Sequence, residues 1–198
     1  LQAGLTLAKW HLLQWGADPA LELRSIEPLH LTAGSVSLTF RDAKGLTNLN
    51  LASAAALTDL LGGVGVPEDM QAQLVDALLD WRDKDSLVRL NGAEENFYRS
   101  IGQPSSPRNG PLKSLDELGW VAGFDQDLVD RVRPLITLYS TFEQGSQHYA
   151  PEFLAQQLKN SLPTSRSTSG IYHLYIKAQL SNGAKGEALA VLRPGQKI

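Results

Sequence analysis

Two short stretches decide how this 198-residue chain is interpreted: DWRDKD at residues 80–85 and NGAEENFY at residues 91–98. An apolar helical pattern begins at Pro67, runs into the first stretch and ends there. Gly92 permits a tight bend that returns the second stretch toward the first. Together the stretches bring five carboxylates to one helix end: Asp83, Asp85, Glu94, Glu95 and Asp80.

This acidic helix end predicts a calcium site. Asp83 and Asp85 are two residues apart, so in an extended loop both can direct oxygens at one point, as hard cations require. We expect these two aspartates to be the main ligands, with Glu94 and Glu95 next. Asp80 ranks last, because a helical position turns its side chain away from the loop.

The same acids have a second interpretation, as a solvated surface of ion pairs. Their spacing does not match the twelve-residue calcium loop with its closing glutamate. Four basic residues lie within or next to the two stretches: Arg82, Lys84, Arg89 and Arg99. Both interpretations stay open on the sequence alone.

Composition limits the class of protein. A hydrophobic fraction of 42% with 20% charged residues is that of a soluble globular chain. A net charge of −3 argues against broad electrostatic capture of nucleic acid or anionic membrane. The absence of cysteine excludes disulfides, thiolate zinc sites and cysteine nucleophiles. Because the chain starts in a helical pattern without methionine, we expect it to be part of a longer protein.

The first fifteen residues predict an amphipathic helix. Leu5, Ala8, Leu12 and Trp15 recur at spacings of three and four, which places them on one apolar stripe. Such a stripe packs on a sheet or on a partner's helix. We therefore predict a spine helix here, with these four residues as a partner-binding surface.

Alternating residues predict an antiparallel sheet. Residues 34–40 and 171–180 alternate apolar and polar side chains, and residues 187–193 return as the last strand of a hairpin. The turn at residues 42–45 predicts a further strand over residues 46–51 that follows residues 34–40. Pro28 predicts that a preceding edge strand containing His30 begins only after the proline. His173 is predicted on the polar, outward face.

Between the strands, start and stop signals predict several helices. Ser53, Ser114 with Glu117, and Asp125 are capping residues, while Pro67 suits a first helical turn. The predicted fold class is α+β. The predicted division is a helix-plus-sheet domain over residues 1–47 and 141–198, with an α-helical subdomain inserted over residues 48–140.

A glycine-rich turn between two of these helices also resembles a helix-hairpin-helix nucleic-acid-binding module, which is the alternative function. In such modules, backbone amides of the turn and nearby basic residues hold the phosphates of the nucleic acid. Here Glu68 and Asp69 follow the turn, and no lysine or arginine lies between Lys44 and Arg82. The sequence therefore argues against nucleic acid. Catalysis is not expected, because the four histidines are scattered and no nucleophile or phosphate-loop motif is present.

Several motifs follow one another in a fixed order along the chain. The tryptophan-containing acidic helix end at residues 80–85 is followed by the Gly-Ala-Glu-acid run at residues 92–95 and by Tyr98. A proline-rich loop, the step at residues 109–112 and the Ser-x-x-Glu-Leu start at residues 114–118 come next. This order of motifs resembles the general secretion pathway protein K family, the minor pseudopilins of type II secretion systems. Compared with many members, the helical insert is short.

This resemblance implies a non-enzymatic structural protein with the pseudopilin fold. It implies a periplasmic domain whose full-length form is anchored in the bacterial inner membrane by an N-terminal helix. The implied partners are the minor pseudopilins I, J and H at the pseudopilus tip, together with secreted substrate proteins. There the protein would help initiate assembly and cap the filament during protein export. The resemblance also associates the family with calcium.

Overall fold

The computed structural model describes residues 6, 25–103, 107–146, 149–157, 162 and 169–193. The chain divides into two compact units: Leu1–Lys44 with Arg166–Ile198, and Gly45–Ser165. The second unit therefore extends beyond the predicted insert over residues 48–140. The four residues of the predicted spine-helix stripe, Leu5, Ala8, Leu12 and Trp15, lie outside the described residues.

The first unit contains a four-stranded antiparallel sheet in the order β1-β2-β5-β6. Its strands are β1 (Ser25–Leu31), β2 (Gly34–Asp42), β5 (Tyr172–Leu180) and β6 (Lys185–Leu192). Alternate side chains of β2 and β5 are buried on one face, as the sequence predicts. This apolar cluster comprises Val36, Leu38, Phe40, Tyr172, Leu174, Ile176 and Leu192.

Strand β1 corrects the prediction that the edge strand starts only after Pro28. The strand includes the proline, and its register with β2 shifts between Ile26 and Leu29. Proline has no backbone N–H to donate to a neighbouring strand. It is tolerated here because β1 lies at the sheet edge and because the irregular pairing at this position needs no such donor.

The predicted strand over residues 46–51 is wrong as a partner of β2. The Asp42 carboxylate accepts a hydrogen bond from the Lys44 amide at 2.7 Å, and the chain forms a short 3-10 turn over Ala43–Gly45. Only Thr47–Asn48 (β3) is a strand, and it pairs in parallel with Ile136–Thr137 (β4) in the second unit. Residues 46–49 are all buried, so they lack the one exposed face that a hairpin strand needs.

The second unit is built from short helices around one apolar core. The helices are α1 (Ala54–Gly63), α2 (Glu68–Arg82), α3 (Glu95–Ser100), α4 (Gln126–Val132) and α5 (Glu152–Gln157), with 3-10 turns at Leu115–Trp120 and Arg133–Leu135. Ser53 and Asp125 cap α1 and α4, and Ser114 with Glu117 forms a complete capping box. These local predictions are confirmed.

His173 on β5 is fully buried, which corrects its predicted outward position. It pairs across the sheet with Arg41 on β2, and its ring lies 6.3 Å from that of Tyr175. Burial, and to a smaller extent the positive charge of Arg41, lower the pKa of His173 to about 4. In the part of the chain that the structure describes, no helix is both long and apolar enough to cross a lipid bilayer.

Candidate metal-binding site

The C-terminal turn of α2 places Asp80 at the centre of the acidic region. The Asp80 side chain has no solvent exposure, and burial is the main reason that its pKa is raised. Its Oδ2 accepts a hydrogen bond from the Arg89 backbone N–H at 3.2 Å, and its Oδ1 accepts one from Arg89 Nη1 at 3.3 Å. Asp80 ranks last among the predicted ligands, yet its carboxylate is the one that Arg89 bonds through both oxygens.

Arg89 is the basic partner of two aspartates. Its Nη1 lies 3.3 Å from Asp80 Oδ1 and 3.2 Å from Asp83 Oδ2. The Arg89 side chain is 38% exposed, whereas that of Asp83 is 23% exposed. The guanidinium thus bridges the two carboxylates and keeps one side open to solvent.

Glu94 is buried beside this pair with little hydrogen-bond compensation. The residue is only 4% exposed, and neither carboxylate oxygen accepts a hydrogen bond of normal distance and angle. The Glu95 backbone N–H is a weak partner that lowers the pKa of Glu94 less than burial raises it. Burial raises the pKa of Glu94, and the carboxylates of Asp80 and Asp83 raise it further. A buried carboxylate in this condition carries a large free-energy cost unless a proton or a cation compensates it.

An aromatic pair supplies the apolar wall behind these acids. The rings of Trp81 and Tyr98 meet edge to face with centroids 5.3 Å apart, and both side chains are buried. The Tyr98 hydroxyl accepts a hydrogen bond from the Ala122 amide at 3.1 Å. Helix α2 supplies Trp81 and α3 supplies Tyr98, so the two rings pack the end of α2, which carries Asp80, against the start of α3, which Glu94 precedes.

The other two predicted ligands lie at the edge of this group. Asp85 is exposed, and its Oδ1 accepts a hydrogen bond from the Leu87 amide at 2.9 Å. Glu95 is exposed in the first turn of α3 and forms an ion pair with Arg99 at 2.5 Å. Of the five predicted residues, the structure links Asp80 and Asp83 through Arg89, and the buried Glu94 lies close enough for their charges to raise its pKa.

Two contacts of the connecting loop were missed at the sequence level. Both the backbone N–H and Nδ2 of Asn91 donate to Asp76 Oδ2 at 3.1 Å, which fixes the end of the loop to α2. The direct bonds of Arg89 to Asp80 were also missed. The signal was available, because Asp76, Asp80 and Asp83 follow a helical spacing of four and three that aligns them on one face.

The chemistry of these side chains fits a hard cation. The two Glu94 oxygens and Asp83 Oδ1 are buried and accept no hydrogen bond of normal geometry, whereas Asp83 Oδ2 is ion-paired with Arg89. Carboxylate oxygen is the ligand type that Ca²⁺ prefers. Among the described residues, however, no group of three or more aspartate, glutamate or histidine side chains is arranged so that it could hold a metal ion. The calcium site stays a prediction, with Asp80, Asp83 and Glu94 as its best-placed ligands.

Comparison with known proteins identifies the family. Residues 32–141, more than half of the chain, match the family described as type II secretion system (T2SS), protein K. The chain belongs to this family. The matched segment includes α1 to α4 and the whole acidic region, so the family assignment confirms the resemblance carried by the two opening stretches.

Two curated relatives of the protein K family show how far the similarity extends. The type II secretion system protein K of Klebsiella pneumoniae is 32% identical over 116 residues, which cover 52% of this chain and 36% of that protein. The protein K of Aeromonas hydrophila is 41% identical over 71 residues, which cover 35% of this chain and 22% of that protein. The chain therefore spans well under half the length of these relatives.

A solved structure confirms the fold of this family member. A chain in the crystal structure of the GspK-GspI-GspJ complex from the type 2 secretion system of enterotoxigenic Escherichia coli superposes with a TM-score of 0.68. The superposition covers 98% of this chain and 92% of that chain, at 19% sequence identity. The predicted combination of helices with an antiparallel sheet is confirmed.

Proposed function

We propose that this protein is a non-enzymatic minor pseudopilin that assembles with other minor pseudopilins at the tip of the type II secretion pseudopilus. The observation that carries the proposal is the match of residues 32–141 to the protein K family. The similar fold of a chain in the GspK-GspI-GspJ complex supports partners of types I and J. Type H is proposed as a further partner at the same tip, as the resemblance to the protein K family implies.

The shape of the helical unit supports a role in capping. Gly45–Ser165 is a compact unit with its own apolar core, inserted between the strands of the sheet unit. We propose that this additional folded unit hinders addition of a further subunit. We propose that it thereby helps initiate and cap the filament during export of secreted proteins. The proposed location is the periplasm, with the full-length protein anchored in the inner membrane.

A reconstitution experiment tests the assembly proposal. The purified chain is mixed with the soluble domains of its type I and type J neighbours, and the product is sized by light scattering after gel filtration. We expect a stable complex that contains one copy of each. Failure to form any complex over micromolar concentrations would contradict the proposal.

A matched pair of variants tests the predicted partner surface. Leu12→Glu places a charge on the predicted stripe of Leu5, Ala8, Leu12 and Trp15 and should weaken the complex. Met70→Glu makes a similar change at an exposed position of α2 in the helical unit and should leave the complex intact. Equal losses in both variants would argue against the stripe as the partner surface.

We further propose that Asp80, Asp83 and Glu94 hold a calcium ion, with Asp85 at the open side of the loop. The ion would supply the positive charge that the buried Glu94 oxygens lack, and it would thereby fix the end of α2 to the start of α3.

Thermal melting with calcium or with EDTA tests this site. Calcium should raise the melting temperature, because a ligand that binds only the folded state stabilises it.

Neighbouring glutamates provide the control for the calcium test. Glu94→Gln should abolish the gain in melting temperature, because Glu94 is buried among the aspartates. Glu95→Gln removes an equal charge one residue away, where the side chain is 59% exposed, and should leave most of the gain. A parent protein that does not respond to calcium would remove the metal proposal and leave the family assignment unaffected.

A further inference from the structure

We propose that the Arg89 side chain is a built-in competitor for the cation, and that it must leave Asp80 and Asp83 before these carboxylates bind a divalent ion. This inference rests on the proposed calcium site and deepens it. It concerns what sets the affinity of the site and how occupancy changes the loop.

Arg89 and a bound cation would need the same carboxylate oxygens. Arg89 uses both oxygens of Asp80, Oδ2 through its backbone N–H and Oδ1 through Nη1. The same Nη1 lies 3.2 Å from Asp83 Oδ2. A cation that took oxygens from both aspartates would therefore compete with the Arg89 guanidinium for the same atoms.

The single positive charge of Arg89 does not balance the charge of the three nearby acids. The Arg89 guanidinium contacts Asp80 and Asp83, and the buried Glu94 oxygens accept no hydrogen bond from it. Arg89 thus compensates two of the three acids, and among the described residues Glu94 forms no ion pair. A divalent ion compensates the group better than Arg89 does, so exchange is favourable despite the loss of two ion pairs.

The Arg89 side chain lies where it can move into water. Its side chain is 38% exposed, so the guanidinium has a path into water. Its chain neighbour Val88 is 61% exposed, whereas Asn91 holds the end of the loop to Asp76. Release of Arg89 would therefore loosen the middle of the loop over residues 84–90 while its end stays attached to α2.

Two arginine variants test the competition. Arg89→Gln removes the bridging charge, and Arg99→Gln removes an equal charge from the ion pair with the exposed Glu95. Calcium affinity is measured by isothermal titration of each variant and of the parent protein. We expect Arg89→Gln to bind calcium about tenfold more tightly than the parent protein, and Arg99→Gln to bind within about twofold of it.

A single label tests the displacement directly. Because the sequence contains no cysteine, Val88→Cys provides one attachment point for a nitroxide next to Arg89 in an otherwise unchanged chain. We expect calcium to increase the mobility of this label, and Glu94→Gln to abolish the change. This measurement also decides the question if Arg89→Gln does not fold.

The outcomes separate this inference from the calcium site itself. If the parent protein binds calcium but Arg89→Gln binds no more tightly than Arg99→Gln, or the label does not respond, the competition is overturned and the site stands. If neither the parent protein nor Arg89→Gln binds calcium, both proposals are overturned. Binding by Arg89→Gln alone would support the competition in its strongest form.

Discussion

Gly92 lies directly against the carboxylate of Asp80, so close that a β-carbon at position 92 would overlap Asp80 Oδ2. The contact joins the loop after α2 to the last turn of that helix. It also explains why the buried acid and the bend occur together in the sequence: the carboxylate has room only where the loop has no side chain.

Gly92→Ala should therefore destabilise the helical unit. The added methyl group must displace either the Asp80 carboxylate or the loop, and both are held by Arg89. We expect a loss of about 1–3 kcal/mol in the free energy of unfolding, measured by urea denaturation in EDTA. Gly119→Ala is the control, because a β-carbon there would meet no atom within 4 Å. Equal stability of the two variants would contradict the close contact.

Arg82 provides a second prediction, which concerns its bonds to backbone carbonyls. Its guanidinium donates to the backbone carbonyls of Leu49 and Ala52, two residues that are almost completely buried. Arg82→Met leaves these carbonyls without a side-chain donor, and we expect a loss of about 2 kcal/mol in the free energy of unfolding.

Arg131 offers the matched comparison for Arg82. It also donates to a backbone carbonyl, that of Val64 at 2.7 Å, but its side chain is 44% exposed. Because water replaces the lost donor at the surface, Arg131→Met should change the unfolding free energy by no more than about 0.5 kcal/mol. The interpretation of Arg82 fails if both substitutions have the same effect in urea denaturation.

Local signals predicted the helices of the second unit well. The caps at Ser53, Ser114 and Asp125 depend only on residues within three or four positions, and all three form the expected hydrogen bonds. The strand over residues 46–51 failed because its signal was the turn chemistry at residues 42–45, which does not determine the conformation of the residues that follow. Leu46 and Leu49 are both buried on an irregular path between the turn and α1, and nothing local distinguishes such a path from a strand.

The sequence predicted which residues belong to the acidic region, but it did not predict how the structure arranges them. A loop spacing of two favoured Asp83 and Asp85, whereas the most buried of the five acids are Asp80 and Glu94, at the ends of α2 and α3 where Trp81 packs on Tyr98. That burial depends on packing between α2 and α3. The spacing of acids within one loop contains no information about this packing. The metal itself stays a prediction, and the assignment of function depends on the protein K family rather than on these acids.

The last prediction concerns the sheet unit and its response to acid. Burial and the positive charge of Arg41 lower the pKa of His173 from an ordinary value of 6.5 to about 4. Below pH 6.5 the unfolded chain therefore binds a proton that the folded chain excludes until about pH 4. Folding stability should fall across this interval, by up to about 3 kcal/mol at its acid end.

His173→Gln cannot titrate, so its unfolding free energy should lose this component of the pH dependence. Urea denaturation of both proteins between pH 7 and pH 4 measures the difference, with circular dichroism reporting the sheet. His30→Gln, at an exposed position of β1, controls for removal of a histidine. If the parent protein and His173→Gln lose stability in parallel across the interval, the buried histidine does not bind its proton as proposed. A parent-specific loss would show that the cross-strand position beside Arg41 limits the acid stability of the sheet.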